Sequence, residues 1–142
     1  QAAWAKHLGV PVLYTNSVSM RFVLIPPGEF DMGSTEEEIA RVQKDPTARK
    51  AIGRYVTRLP SEAPRHRVRI TQPFYAGVYE VTQAEYQRVM GSNPSALRGN
   101  PTRPVEPVEW NDAVEFCRRL KEMPSEKARG GKYRLFTEAE WE

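Results

Sequence analysis

One cysteine and two histidines are all that these 142 residues offer to a soft metal. A lone thiol, Cys117, closes no intrachain disulfide and reveals no redox compartment. His7 and His66 stand far apart in the chain, which excludes zinc-type Cys/His spacing. Nothing approaches the ~18 consecutive apolar residues of a membrane-spanning helix. The opening Gln1-Ala2-Ala3 is not an initiator start, and no charged-then-apolar secretion signal follows. The compartment therefore stays open, and the chain is expected to begin and end inside a longer sequence. Internal repeats of ~20–50 residues are absent. Gly130-Gly131 lacks the strand, glycines and helix that a phosphate cradle requires.

Hydrophobic residues make up 39%, and twelve prolines with nine glycines predict short elements and much ordered loop. The net charge of +3 is uneven. Between Arg41 and Arg69 lie nine Lys or Arg against two acids, Asp45 and Glu62. Such a stripe suits an acidic partner. Without an aromatic stacking platform or a recognised motif it is read as solvated surface, not as a nucleic-acid interface.

Residues 1–11 predict a short helix over Trp4, Ala5 and Leu8 that Gly9 and Pro11 close. Phe22-Val23-Leu24-Ile25 reads as a strand buried on both faces. Pro26-Pro27-Gly28 reads as a turn with Gly28 at positive φ, joining that strand to Glu29–Met32 in a hairpin. Residues 34–60 form a helical excursion that Ser34 or Thr35 caps, Pro46 interrupts and Ala48, Ile52, Tyr55, Val56 and Leu59 continue at helical spacing. Val68 and Ile70 mark a strand with one face buried, and Phe74 to Tyr79 another. Thr82-x-x-Glu85 is a capping box that opens a helix ended by Gly91. A further helix is expected from Trp110, capped by Asn111 or Asp112, with Ala113, Phe116, Cys117 and Leu120 on one face. Tyr133-Arg134-Leu135 reads as a strand, and Thr137-x-x-Glu140 as a second capping box with the chain ending soon after. The composite is α+β, with antiparallel strands and two to four helices.

Candidate chemistry is thin. Cys117 lies on the apolar face of its helix and reads as a packed thiol, not a nucleophile. His66 reads as an interior, hydrogen-bonded ring. Glu106 with Glu109, and Glu138 with Glu140, are the acid pairs. Glu140 belongs to its capping box, and the others read as surface. Trp110 and Trp141 are expected in the core or at its edge. No catalytic, cofactor-binding or metal-ligating residue is assigned.

Four phrases carry a resemblance. FVLIPPGEFDMGS (22–34), EAPRHRVRITQPFYAGVYEVTQAEYQRVMGSNPS (62–95), PVEPVEWNDAVEFCRRL (104–120) and YRLFTEAEWE (133–142) resemble, in order and spacing, the formylglycine-generating enzyme or sulfatase-modifying factor family. Phe136 stands where the family usually has Pro, and Glu109 where Ser is common. The resemblance implies a loop-rich C-type-lectin-like fold, with residues 18–142 as the N-terminal part of the domain and 1–17 as a linker or the end of an upstream segment. It also implies oxidation of a sulfatase cysteine to Cα-formylglycine by molecular oxygen and copper, the metal held by two thiolates. Those cysteines and the calcium sites of the family lie in its C-terminal half, so this chain is expected to be inactive alone. The alternative is a lectin-like binding or regulatory module of a larger bacterial protein, for example one fused to a protein kinase. Sulfatase or another protein substrate, and an upstream domain, are the expected partners; a membrane is not. Val23, Ile25, Phe74, Phe116 and Trp141 are expected to leave apolar faces open and to favour association.

Overall fold

Pro26 and Pro27 mark the point where the chain changes sheets. In the computed structural model, which describes residues 1–142, the five strands form a three-stranded and a two-stranded antiparallel sheet. Two compact units result: Gln1–Pro26 with Gln72–Thr137, and Pro27–Thr71 with Glu138–Glu142.

The first unit contains α1 (Ala2–Leu8), β1 (Leu13–Thr15), β2 (Arg21–Ile25) and β5 (Phe74–Gly77), then α4 (Gln83–Met90), α5 (Trp110–Glu122) and α6 (Pro124–Ala128). Gly9, in the left-handed conformation, ends α1 as expected. Residues 1–17, expected as a linker or the end of an upstream segment, hold a helix and an edge strand. β2 is the central strand, pairing Tyr14 with Phe22 on one side and Leu24 with Tyr75 on the other. Its two faces are unequal: Phe22 and Leu24 are buried, whereas Val23 and Ile25 are half-buried. Core packing thus covers one face fully, so the expectation of two buried faces is corrected.

Val18, Met20, Phe22, Tyr86, Phe116 and Leu120 form the core cluster. Tyr86 of α4 stacks on Phe116 of α5, centroids 5.5 Å apart and planes within 2°. The apolar stripe on α5 is as expected, and Phe116 is closed into this core instead of remaining open. Glu109, not Asn111 or Asp112, occupies the cap position of α5, and it makes no side-chain cap bond. Thr82 and Glu85 complete the expected box on α4, which Gly91 ends.

The second unit contains β3 (Gly28–Met32), α2 (Glu36–Lys44), α3 (Pro46–Ile52), a 3-10 helix (Gly53–Glu62), β4 (His66–Ile70) and α7 (Glu138–Trp141). β3 pairs with β4, not with β2, in the register Phe30 opposite Val68. Both prolines lack the N–H that would extend a ladder, so the expected hairpin does not form. Gly28 is a strand residue opposite Ile70, not a turn residue at positive φ. Thr35 and Glu38 form a complete capping box on α2, and Asp45 caps α3. Pro46 takes the first turn of α3, where its missing N–H matters least. The helical spacing of 48–59 is real, but Gly53 splits it into α3 and the 3-10 helix.

The α-helices of eight residues or more, α2, α4 and α5, number three, within the expected two to four; the other four α-helices have seven residues or fewer, and the 3-10 helix has ten. Tyr133-Arg134-Leu135 joins neither sheet; the Tyr133 side chain is held by its hydroxyl on Glu126 instead of by a ladder. Trp110 and Trp141 are not core residues; they are 70% and 78% exposed. Each is a terminal residue of its helix, where few neighbours surround a side chain.

Two glycines separate backbone need from sequence habit. Gly33 has φ +86°, and a Cβ there would sit 2.4 Å from the Glu62 carbonyl oxygen. Gly28 has open space around it. Gly33→Ala is therefore expected to destabilise by about 2–3 kcal/mol, and Gly28→Ala to stay within about 0.5 kcal/mol. Urea unfolding of the two variants checks this, and equal effects contradict the assignment.

Candidate functional site

The residues picked out by the sequence do not converge. Cys117 is half-buried against the core cluster, and burial pushes its thiol pKa up. The protonated thiol is a poor nucleophile. His66 is hydrogen-bonded, with Nδ1 2.9 Å from the Pro64 carbonyl oxygen, but it is exposed, not interior. β4 starts at His66 on a sheet whose faces are at most half-covered, which leaves the ring in solvent. His7 is exposed, edge-on to Trp4 at 5.5 Å. Glu106 and Glu109 are both exposed, one in a loop and the other capping α5, whereas Glu138 and Glu140 lie in α7. Nowhere do three or more His, Cys, Asp or Glu side chains gather as a metal-holding group.

The structure instead gathers a polar cluster around Glu126, which the sequence reading passed over. Pro124 starts the five-residue α6, and Glu126 sits in its first turn, fully buried. Its Oε1 accepts from the Ser17 amide at 2.8 Å. Its Oε2 accepts from the Tyr133 hydroxyl at 2.5 Å and the Tyr14 hydroxyl at 3.1 Å. Arg129 donates to the Tyr14 oxygen at 3.1 Å and lies over that ring. The cation thus acts on Glu126 through a tyrosine instead of touching it.

Local sequence sets this arrangement. Gly130, at φ +69°, turns the chain after α6, and the Gly131 amide donates to the Glu126 carbonyl. A Cβ on Gly131 would lie 3.2 Å from the Tyr133 ring, so Gly-Gly lets that ring approach Glu126. On the other side, Asn16 is buried and shapes the β1–β2 turn. Its Oδ1 accepts from the Val18 and Met20 amides at 3.1 and 2.9 Å. Ser19 takes φ +74° within that turn.

Burial favours the neutral acid, yet hydrogen bonds from Ser17 and the two tyrosines overcome it and hold Glu126 at about 2, below the ordinary 4.5. The Tyr133 hydroxyl is shifted upward by burial and by donating to this carboxylate. Both carboxylate oxygens of Glu126 are met by these donors, while the buried Ser17 Oγ beside them has no hydrogen-bond partner. The arrangement chemically suits a fixed tether, not proton transfer to a substrate.

A second polar network, also passed over, holds the loop after α4. Buried Gln83 donates to the Leu97 carbonyl at 3.0 Å and accepts from Asn93 at 2.9 Å. Ser95, equally buried, accepts from the Glu106 amide. The only sequence signal for these ties was the polar run Gly91-Ser92-Asn93-Pro94-Ser95 between two helices.

The model of the sulfatase-modifying factor enzyme 1-like domain matches residues 13–142. This chain belongs to the sulfatase-modifying factor family. The structure of PvdO from Pseudomonas aeruginosa is similar at a TM-score of 0.64 and 23% identity, over 90% of this chain and 48% of that one. That likeness concerns the fold. The chaperone protein LppX of Paenibacillus barcinonensis is 55% identical over 51 residues, 34% of this chain and 18% of that protein. This chain therefore spans under a fifth of that curated relative and about half of the solved structure.

Glu126 supplies the test of the tether. Its folded pKa is depressed, so its contribution is full above about 4.5 and is lost as pH falls toward 2. Tyr133 is raised, so its contribution fades as pH climbs above 10. Glu126→Ala is expected to remove about 2–4 kcal/mol at pH 7, because three donors lose their acceptor. Urea unfolding across pH should show a smaller acid-side loss in Glu126→Gln than in the parent. Identical acid limbs contradict the assignment.

Proposed function

We propose that this chain is the scaffold portion of a formylglycine-generating-type domain, whose oxidation of a sulfatase cysteine is carried by residues outside these 142. The observation behind this reading is the state of Cys117. It is the chain's one thiol, packed on α5 with its pKa pushed up. A two-thiolate copper site needs a second sulfur. The donors present do not fit copper, and with no cluster of three acids they do not fit an oxygen-ligand calcium site either. No reaction step is assigned here to either metal.

What these residues do contribute is position. The Glu126 tether fixes the β1–β2 turn against Tyr133, and the Gln83–Ser95 network fixes the loop after α4. Catalytic groups held by such a frame keep their geometry without paying ordering entropy at each turnover. The substrate we assign to the whole domain is the cysteine-bearing segment of a sulfatase precursor. A relative that is named a chaperone favours a second reading, a binding or regulatory module of a larger bacterial protein without oxidase activity.

The test offers a cysteine peptide from a sulfatase, with copper(I), oxygen and a thiol reductant that supplies the second electron pair for reducing oxygen to water, to the full-length protein and to these 142 residues alone. Aldehyde captured by a hydrazide reagent is the readout. The proposal expects product from the full-length protein only, with Cys117→Ser still active there. Aldehyde made by the 142 residues alone contradicts the scaffold assignment, and none from the full-length protein favours the module.

A further inference from the structure

The nine cations between Arg41 and Arg69 are not equivalent. Arg65 pairs with Glu38 at 2.8 Å, Arg67 with Asp31 and Glu29 at 3.2 and 3.4 Å, and Arg69 with Glu29 at 3.3 Å. Those three are neutralised along the β3–β4 ladder and beside α2. Arg41, Lys44, Arg49, Lys50, Arg54 and Arg58 are exposed and make no ion pair. Asp45 is close in sequence to Arg49, but its Oδ1 is engaged by the Thr47 and Ala48 amides. Glu62 is engaged by the Ser34 hydroxyl at 2.8 Å.

Shape accompanies the charge. Arg49 and Lys50 border a surface depression of 410 Å³ whose other lining residues are Pro46, Gly53 and Val56. Beyond it, the guanidiniums of Arg54 and Arg58 both lie 5.6 Å from the centre of the exposed Tyr55 ring. These contacts hold two long cationic side chains near one place and reduce the entropy a partner would have to remove.

We propose that α3 and the start of the 3-10 helix dock an acidic segment of a partner protein. Its carboxylates meet Arg49, Lys50 and Arg54, and one of its apolar side chains enters the depression against Pro46 and Val56. A protein partner fits better than single-stranded nucleic acid. Tyr55 is the one aromatic residue between Arg41 and Arg69, and two arginines already lie against its ring. Base stacking needs free aromatic faces. This surface is independent of whether the parent protein is an oxidase.

The probe is a fluorescein-labelled peptide of alternating Glu and Leu, read by anisotropy on the 142-residue chain and on the full-length protein. Arg49→Ala, Lys50→Ala and Arg54→Ala combined should weaken binding about tenfold, since each exposed pair is worth a fraction of a kcal/mol. Lys6→Ala, Lys121→Ala and Lys132→Ala combined remove the same charge elsewhere and should change it less than about twofold. Affinity should also fall as salt rises. Equal losses in the two triple variants, absence of binding, or tighter binding of a single-stranded oligonucleotide overturns the proposal.

Discussion

A carboxylate taken wholly out of water must be met by donors, or the fold excludes it. Glu126 meets this condition with an amide and two hydroxyls drawn from opposite ends of the first unit. No cation touches it, so the chain must hold three separate segments in register to keep the charge stable. The β1–β2 turn, α6 and the Tyr133 segment are therefore tied together at one carboxylate. The aromatic contacts beside this point, Tyr14 with Phe22 and Phe22 with Tyr133, both at 5.9 Å, extend the constraint into the core.

That frame explains how a chain of short elements is held in order through its loops. Its longest helix has 13 residues, and none of its strands exceeds five. Polar networks take over where ladders end: Asn16 in one turn, Gln83 and Ser95 in another, Glu62 receiving the Ser34 amide in the second unit. Each satisfies backbone groups that would otherwise be left without partners.

Much of what depends on spacing within four residues was legible in advance, though the cap of α5 and the Pro26-Pro27-Gly28 turn were not. The box at Thr82, a cap at Ser34 or Thr35 and the stripe Ala113, Phe116, Cys117, Leu120 depend only on local spacing. The α+β class followed from the order of short strands and helices, and the family from phrases spread over most of the chain, which the match to residues 13–142 supports. Strand partners were not legible, because β2 chose Tyr14 and Tyr75 over the neighbouring Glu29–Met32. Glu126 was hidden for the same reason: it sits in a short, charged helix, and its acceptor role depends on Tyr14 and Ser17, over a hundred residues away. Tyr133, just past Gly-Gly, was its one local hint. The exposed tryptophans show the converse, since size alone does not place a residue inside.

Amide hydrogen exchange at Ser17 tests the tether most directly. Ser17 lies in a turn, where amides ordinarily exchange quickly, but its N–H is held by Glu126 at 2.8 Å. The account predicts protection comparable to that of the β2 amides, lost when Glu126 is replaced by Ala. Turn-like exchange at Ser17 in a chain whose β2 amides remain protected would contradict it.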